Sequence, residues 1–486
     1  MDAAATETND DTTTREDVTS NGERRWEAVD SCINYDHWKH NDDTPINYQM
    51  SGDLYILRSR CEYEMQNNPM VAGVVETHTI DLIGECGPTL QVVSDSDRYN
   101  RLLEEVFAEW WASCTVGGES GVDVLSRFNE NDWLRGNSLA QEVNMSHELP
   151  SSEIVRMRLL EIAPRRLKNP WGRGIYDRIF SGVELDQLDR PIRYWIAPSQ
   201  NSVEHYGRQS QPYSADEIHH WFDKREAGQA VGFPRLASCL NEIVELRSYD
   251  AEVLDAARTA ANNSFLMTTD MPEYIKGATA FPPGFELDSP RRTGKVLPPG
   301  YQAVQMTPRQ PIANYADFRH EKLRSIGRPV HMPLLSILLS ANGSNFSQSR
   351  IDLNVLYERG LNHIRGRMQR NLLIPIVKAV EREASLATFF KSGSRRFVLG
   401  RKPKNGAKFF FRWEPLGHAN PRDYSTSVEK LLQLGLTSEI REIAKTGEKP
   451  EQIWEDRKAW KEMMEKAGFS PEPEEAEQQP NPQGQV

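Results

Sequence analysis

The stretch "SANGSNFSQSRIDLNVLYERGLNHIRGRMQRNLLIPIVKAVEREAS", residues 340–385, decides how this chain is read. A mixed apolar and polar loop from residue 331 ends in Asn345-Phe346-Ser347-Gln348-Ser349-Arg350, and an amphipathic helical pattern then runs to about Ser385. Leu361, Ile364, Met368, Leu372, Ile376 and Val380 recur at three-and-four spacing, which puts them on one helical face. At 1.5 Å per residue, roughly 38 residues reach about 57 Å, the length of a strut rather than of an ordinary globular helix. Pro375 removes one backbone donor and crowds the preceding turn, so a kink is expected there with the apolar stripe continuing beyond it.

Working outward, a helix is expected over Asn314 to Ser325, just before the loop. Upstream of it, residues 264–311 hold eight prolines with Gly, Met and aromatic residues, which precludes a long helix and marks a small separate lobe. Another helix is expected from Phe233-Pro234 to about Asn262, with Leu236, Leu240, Ile243, Leu246, Val253, Leu254 and Ala257 as its apolar positions. Residues 150–200 alternate in period two through "IVRMRLLEI" and "PIRYWIA", the pattern of antiparallel sheet. Residues 98–114 read as an amphipathic helix ending in Trp110-Trp111, and "NNPMVAGVVETHTIDLIGECGPTLQVVS" begins helical and ends as a strand, punctuated by Gly84, Gly87 and Pro88. The fold class is α+β.

The runs "SANGSNFSQSRID" and "LPPGYQA" (297–303) resemble, in the same order, the Asn-Tyr-Ser-Ser-Ala-Arg and Leu-Pro-Pro-Gly-Tyr runs of the lambda-like phage portal proteins. Gln66-Asn67-Asn68-Pro69, "LLEIAPRRL" (159–167), "GVELDQLDRPIRYWI" (182–196), "REAGQAVGFPRLA" (225–237) and "FRWEPLGHANPRDYSTSVEKLLQLGLTSEIREIAKTG" extend the resemblance over roughly residues 50–468. It implies a portal-type fold: a wing over 26–232, stem helices at 233–263 and 312–330 around a clip at 264–311, and a tunnel loop at 331–350. The long kinked helix and a basic hairpin of the wing then occupy 351–423 and a helical crown 424–469, with a disordered acidic arm at 1–25 and a disordered tail at 470–486. The chain departs from the family in two places. Asp189 stands where relatives have glycine in an Asp-x-x-Gly-Arg-Pro turn, which leaves the turn geometry open, and "AGQAVGF" lacks the basic residue often found before Gly232.

With 486 residues, 38% apolar and 26% charged, the chain suits two or three cores of a soluble protein. It offers no run of about 18 apolar residues, and its acidic, Thr-rich start is unlike a signal peptide, so no membrane partner is expected. A formal net charge of −12 argues against a tight DNA binder, which needs many Lys and Arg on phosphates. The same charge suits a wall that lets a polyanion slide. The five cysteines lack CxxC spacing and indicate neither a disulfide framework nor a zinc site.

No catalytic or metal set emerges. "SPRRTGKV" (289–296) has Ser289 and Val296 where a phosphate-binding loop needs glycine and a hydroxyl residue. His219 and His220, read as a surface helix cap near Trp221, point about 100° apart on a helix and do not share an ion with Asp223. Glu184, Asp186 and Asp189 sit in a strand turn, where solvated carboxylates are common. Residues 391–412 are more unusual, with Lys391, Arg395, Arg396, Arg401, Lys402, Lys404, Lys408 and Arg412 and not one acid. Two readings stay open: a solvated hairpin turning at Lys404-Asn405-Gly406 with "KFFFRW" as its return strand, or a patch facing DNA or a neighbouring subunit. The arginine surplus of the long helix likewise either braces subunit contacts or is solvated. In the loop, Asn342, Ser344, Asn345, Ser347 and Gln348 are uncharged hydrogen-bonding side chains that exchange phosphate contacts at low cost, and with Phe346 and Arg350 they are the candidate channel residues.

The expected function is that of a non-enzymatic portal subunit with no cofactor. The resemblance implies a homo-oligomeric ring of about twelve copies at one capsid vertex, closed by a heterologous contact. Non-specific double-stranded DNA would pass through its bore, and its partners would be the large terminase subunit, major capsid and scaffolding proteins, and head-tail connectors. It would reside in the virion, and in the bacterial cytoplasm during assembly. The alternatives are a DNA-processing enzyme of a mobile element with an unrecognised active site, or a monomeric adaptor of the head-tail joint.

Overall fold

Asn68-Pro69 starts the helix around which much of the main core is built: the Asn68 side chain accepts the Met70 N–H at 3.1 Å, and proline occupies the first turn. This helix, α2 (Pro69–Ile83), buries Val71, Val74, Val75, Leu82 and Ile83 and ends at Gly84, whose φ of 78° suits glycine. It follows α1 (Ile46–Asn67) and is crossed by α4 (Gly121–Leu134), which opens on a Ser120–Asp123 capping box. Between them lie β1 (Thr89–Val93) and α3 (Asp97–Trp111), N-capped by Ser96.

The structure is a computed structural model; it describes residues 44–150, 153–198, 209–262, 266–269, 301–304, 315–340, 345–386, 390–392, 395–397, 399, 402–414, 421–445 and 450–466. The expected acidic arm at 1–25, the tail at 470–486, the basic turn at 289–296, Cys32, Asn342, Ser344 and Arg401 lie outside these residues.

The sheets are antiparallel, as period-two alternation predicts. Strands β2 (Ser138–Asn144), β3 (Met157–Ile162) and β8 (Ile218–Trp221) form one sheet in the order β3-β2-β8. Strands β4 (Ile179–Phe180), β5 (Val183–Leu185), β6 (Pro191–Ile196) and β7 (Gln211–Ser214) form a second, over a core of its own that includes Phe180, Val183, Tyr194 and Ile196. The Asp186–Arg190 turn holds Asp189 in the left-handed region at φ 59°, a conformation that glycine adopts most readily.

The helix expected from Pro234 begins as a 3-10 turn (Arg235–Cys239) and becomes α5 (Leu240–Asn262). Leu236, Leu240, Ile243 and Leu246 are buried as the spacing predicts, whereas Leu254 is 50% exposed. Helix α6 (Tyr315–Gly327) returns antiparallel: Tyr315 donates to Asp250 at 2.7 Å, and Lys322 pairs with Glu242 and Glu245. Strands β9 (Leu266–Thr269) and β10 (Tyr301–Val304) pair antiparallel and bracket residues 270–300.

From Phe346 the backbone is helical without a break to Leu386, and Leu361, Ile364, Met368, Leu372, Ile376 and Val380 are all buried. Two π turns interrupt its α geometry, Asp352–Tyr357 and Gln369–Leu373. The second ends two residues before Pro375, and the wide turn is how the helix accommodates a residue that cannot donate and whose ring crowds the turn behind it.

Two sequence readings are corrected. "KFFFRW" is not the return strand of a basic hairpin: its strand β13 (Lys408–Arg412) pairs with β1, Leu90 opposite Phe411 and Val92 opposite Phe409. Those four side chains are buried in the main core while Phe410 is 46% exposed, so matching alternation fixed a partner more than 300 residues away. The basic segment makes a separate hairpin, β11 (Phe390–Ser392) with β12 (Arg395–Phe397). His219 and His220 lie on strand β8 rather than at a helix cap.

After β13, helices at Pro421–Gln433, Glu439–Lys445 and Pro450–Lys466 complete the described chain.

Candidate functional site

The residues singled out for DNA contact sit at the two ends of the long helix. At its head, a short helix α7 (Leu334–Leu338) is bracketed by two left-handed non-glycine residues, His331 at φ 60° and Leu339 at φ 47°. The Asn345 carbonyl accepts the Ser349 N–H at 2.9 Å, so the helix starts here. The expected loop is therefore shorter than its polarity suggested. Phe346, Ser347, Gln348 and Arg350 belong to the first turns of the helix, while Asn345 and Gln348 are exposed.

At its foot, the β11–β12 register sets Lys391 directly opposite Arg396. Lys402 reaches Glu381 of the long helix at 3.4 Å, Lys404 is exposed on a turn closed by Gly406 at φ 74°, and Lys408 is exposed at the start of β13. Arg412 donates to the Gln91 side chain at 3.1 Å across the β1–β13 pair. The seven described cations thus divide between a hairpin, a turn and a strand.

Several charges on the long helix are internal braces, which counting charges could not reveal. Arg365 is buried, donating to the carbonyls of Leu82 at 2.8 Å and Asp81 at 2.9 Å and lying over the Trp413 ring. Cations favour helix C-termini, and here one caps α2. Glu383 accepts the backbone N–H groups of Arg156 and Met157, both at 2.9 Å, and Glu381 accepts the Tyr99 hydroxyl at 2.6 Å. Arg367 pairs with Asp223. By contrast Arg359, Arg370 and Lys378 are exposed.

The interior beneath α2 is polar, a feature the sequence reading missed. His78 and Asn129 are fully buried; Nδ1 of His78 accepts the Trp133 indole N–H at 3.2 Å, and Asn129 donates to Thr79 at 2.8 Å. Because the indole only donates, the His78 ring is neutral with its proton on Nε2. Burial, and then the charge of Arg235, push its pKa down to about 3. Arg235 Nε donates to the buried Asp132 carboxylate at 2.8 Å.

The acid and histidine candidates are occupied by structural work. Glu184 accepts the Trp195 indole N–H at 3.0 Å beside Arg193 at 3.5 Å. Asp186 accepts the N–H groups of Leu188 and Arg190 at 2.8 and 2.9 Å, and Asp189 pairs with Arg178. On β8, His219 meets Glu142 at 3.0 Å, while His220 meets Asn137 at 3.0 Å and Tyr194 at 3.2 Å. Neighbouring strand residues face opposite ways, which separates the two rings. Among the described residues no group of three or more His, Cys, Asp or Glu could hold a metal ion, and no helix is long and apolar enough to cross a membrane. Cys61, Cys114 and Cys239 are buried and Cys86 is exposed.

The chain is 24% identical over 330 residues to a probable portal protein of Halomonas phage phiHAP-1, an alignment covering 61% of this chain and 60% of that one. It therefore spans about 60% of the length of this curated relative. Among solved structures it is similar to a chain in the neck of an empty gene transfer agent particle, with TM-score 0.46, 13% identity, and 81% and 93% of the two chains covered. It is also similar to an HK97-family phage portal protein from Corynebacterium diphtheriae, with TM-score 0.32, 12% identity, and 63% and 89% covered. The family model described as "Phage portal protein, lambda family" matches residues 35–360, most of the chain, and the protein belongs to that family.

Proposed function

We propose that this chain is the subunit of a closed ring at one vertex of a phage capsid, through whose bore double-stranded DNA enters during packaging and leaves at ejection. Membership of the lambda portal family is the observation that carries this reading. The order of elements supports it: α5 leads out of the main core, α6 returns antiparallel, and the Pro/Gly-rich segment falls between them in sequence, where β9 and β10 pair. In this reading α5 and α6 are the stem and residues 264–311 the clip, the surface that docks the large terminase subunit and later the head-tail connectors. Residues 26–232 and 351–423 form the wing, which meets the major capsid and scaffolding proteins, and 424–469 the crown. The ring works in the virion after assembly in the host cytoplasm.

The role is passage without chemistry. A net charge of −12 repels the duplex from the wall, so contacts stay few and exchangeable. Asn342, Ser344, Asn345, Phe346, Ser347, Gln348 and Arg350 are the candidates for those contacts, and of these Asn345 and Gln348 are exposed at the head of the long helix. The basic segment is the second candidate surface, since residues 391–412 hold eight Lys or Arg and no acid, and the β11–β12 register sets Lys391 opposite Arg396. The mobile-element enzyme reading loses its best carboxylates, because Glu184, Asp186 and Asp189 are all held in structural bonds.

Sedimentation velocity and negative-stain imaging of the full chain test the proposal. Rings with a central hole are expected, whereas a monomer under assembly-permissive conditions, or magnesium-dependent DNA cleavage, would overturn it.

A further inference from the structure

We propose that the solvent face of the long helix seats a second copy of the chain, and that the acidic row of the partner's α5 is the surface it receives. The proposal rests on the ring reading of the function and names the surfaces that would close the ring.

Beyond Leu246, α5 buries no described side chain, although Leu254 there is apolar and 50% exposed. Among the described residues this stretch is covered by α6 and, through Arg247 on Glu64 and Tyr63, by α1, which leaves it under-packed for a helix whose stability has to come from tertiary contacts. One face of it is acidic: Glu245, Glu252 and Asp255 succeed one another at helical spacing, with Ser248 between and Val244, 50% exposed, at the margin. The long helix offers the complement. Among its described side chains every exposed charge is a cation, Arg359, Arg370, Lys378 and Arg382, on a chain of net charge −12. Its first turns add Ile351, Val355 and Leu356, exposed by 53%, 48% and 55%.

The two faces are not spent on each other within the chain. Arg382 pairs with Glu142, Glu245 with Lys322 and Asp255 with Arg258, but among the described residues no hydrogen bond or ion pair engages Arg359, Arg370, Lys378 or Glu252. Their spacings also fit. Glu245 and Glu252 stand about 10 Å apart along α5, and Arg370 and Lys378 about 12 Å apart along the long helix, at 1.5 Å per residue. Each subunit presents one face and accepts the other, a head-to-tail contact that closes when the rotation between copies divides a full turn. The apolar turns supply buried area, and the charges supply register and partner choice.

The test uses the full chain by sedimentation velocity over a range of concentrations, with circular dichroism as a check on folding. Glu252→Arg alone and the pair Arg370→Glu with Lys378→Glu alone are each expected to raise the concentration for half-assembly by about tenfold or more. A chain carrying all three changes restores the opposite charge at position 252 while Glu245 still faces a carboxylate, and is expected to assemble better than the worse of its parents without reaching wild type. Added salt is expected to weaken wild-type assembly. If the wild type forms rings and both charge-reversed variants form them equally well, or if the combined variant assembles no better than the worse of its parents, the contact is wrong while the ring stands. If reversal leaves rings intact but lowers DNA retention, the cationic face belongs to DNA and the contact is likewise overturned. A wild type that forms no ring removes both.

Discussion

Nε of Arg365 stands 2.8 Å from the carbonyl oxygen of Leu82, across 283 residues of chain. With its second bond to Asp81 and the Trp413 ring over its plane, this guanidinium joins the C-terminus of α2 to the long helix and to the end of β13. Arg365→Met removes the charge and strands two carbonyls in a dry site, and is expected to destabilise the subunit by about 2–4 kcal/mol in urea unfolding. Arg365→Lys is expected to recover only part of this, because an ammonium lacks the planar fork that reaches both carbonyls. A loss below about 1 kcal/mol for the Met variant would show that the bonds are not maintained in solution.

Periodicity made the long helix legible: all six positions from Leu361 to Val380 read as one face are buried. It also gave β3 and β6 of the antiparallel sheets, because alternation survives in a sheet with one face on a core. Partners were not legible. Nothing local in "KFFFRW" distinguishes pairing with a neighbour from pairing with β1, since either satisfies the ladder and only the shared core chooses. Helix α1 escaped notice because its buried residues, Met50, Leu54, Cys61 and Glu64, are few and one is a carboxylate. The internal charges of the long helix were invisible for a related reason: Arg365 and Arg370 are the same residue type five positions apart, yet one is buried and the other exposed. At the candidate channel, polarity suggested a loop, while Asn345 and Ser349 close the first helical turn.

Two histidines held neutral, His78 fully buried and His220 half-buried, make acid a specific weakness. Burial lowers the pKa of His78 to about 3, with Arg235 adding to the effect, and burial and then Arg58 lower that of His220 to about 3. An unfolded imidazole titrates near 6.5, so between about pH 6.5 and 3 the unfolded chain binds protons that the folded chain refuses. Stability from these groups is complete above about pH 6.5 and falls as acid is added, by at most about 1.4 kcal/mol per pH unit for each ring. His220→Phe keeps the ring shape and leaves the Asn137 oxygen its bond from the Gly232 N–H at 2.7 Å. Urea unfolding at pH 7.5, 6 and 5 is expected to show a smaller loss with acid in this variant than in wild type, and parallel slopes would contradict the burial of a neutral ring.

Left-handed residues beside the channel loop offer a second handle on stability. Leu339 has φ 47° with its side chain 76% exposed, so it bears the cost of an unfavourable backbone with little packing in return. Leu339→Gly is expected to stabilise the subunit by about 1 kcal/mol in chemical unfolding. Asp189→Gly, at φ 59°, is expected to gain only a few tenths, because Asp tolerates this conformation better and its exposed pair with Arg178 is lost. A reversed ranking would mean that the Leu339 side chain contributes contacts outweighing its strain.

Pro375 is the sharpest test of how the long helix is built. In the middle of a regular α-helix, replacing proline by alanine restores a hydrogen bond and relieves a clash, a gain of about 3 kcal/mol. Here the π turn Gln369–Leu373 has already widened the helix ahead of the ring, with Leu372, Leu373, Ile376 and Val377 packed into the core in that register. Closing the turn would rotate the helix before it by roughly 100° relative to the helix beyond it, taking one set of these side chains off the core. Pro375→Ala is therefore expected to leave the register intact and to change stability by less than about 1 kcal/mol. Gln369 deletion, which removes the extra residue while keeping the proline and the register of both flanks, is expected to cost about 3 kcal/mol or more, because the proline clash and lost hydrogen bond of a regular helix return. Thermal unfolding of the two variants side by side checks the argument: if Pro375→Ala stabilises by the full amount seen in a regular helix, the π turn is not what accommodates the ring.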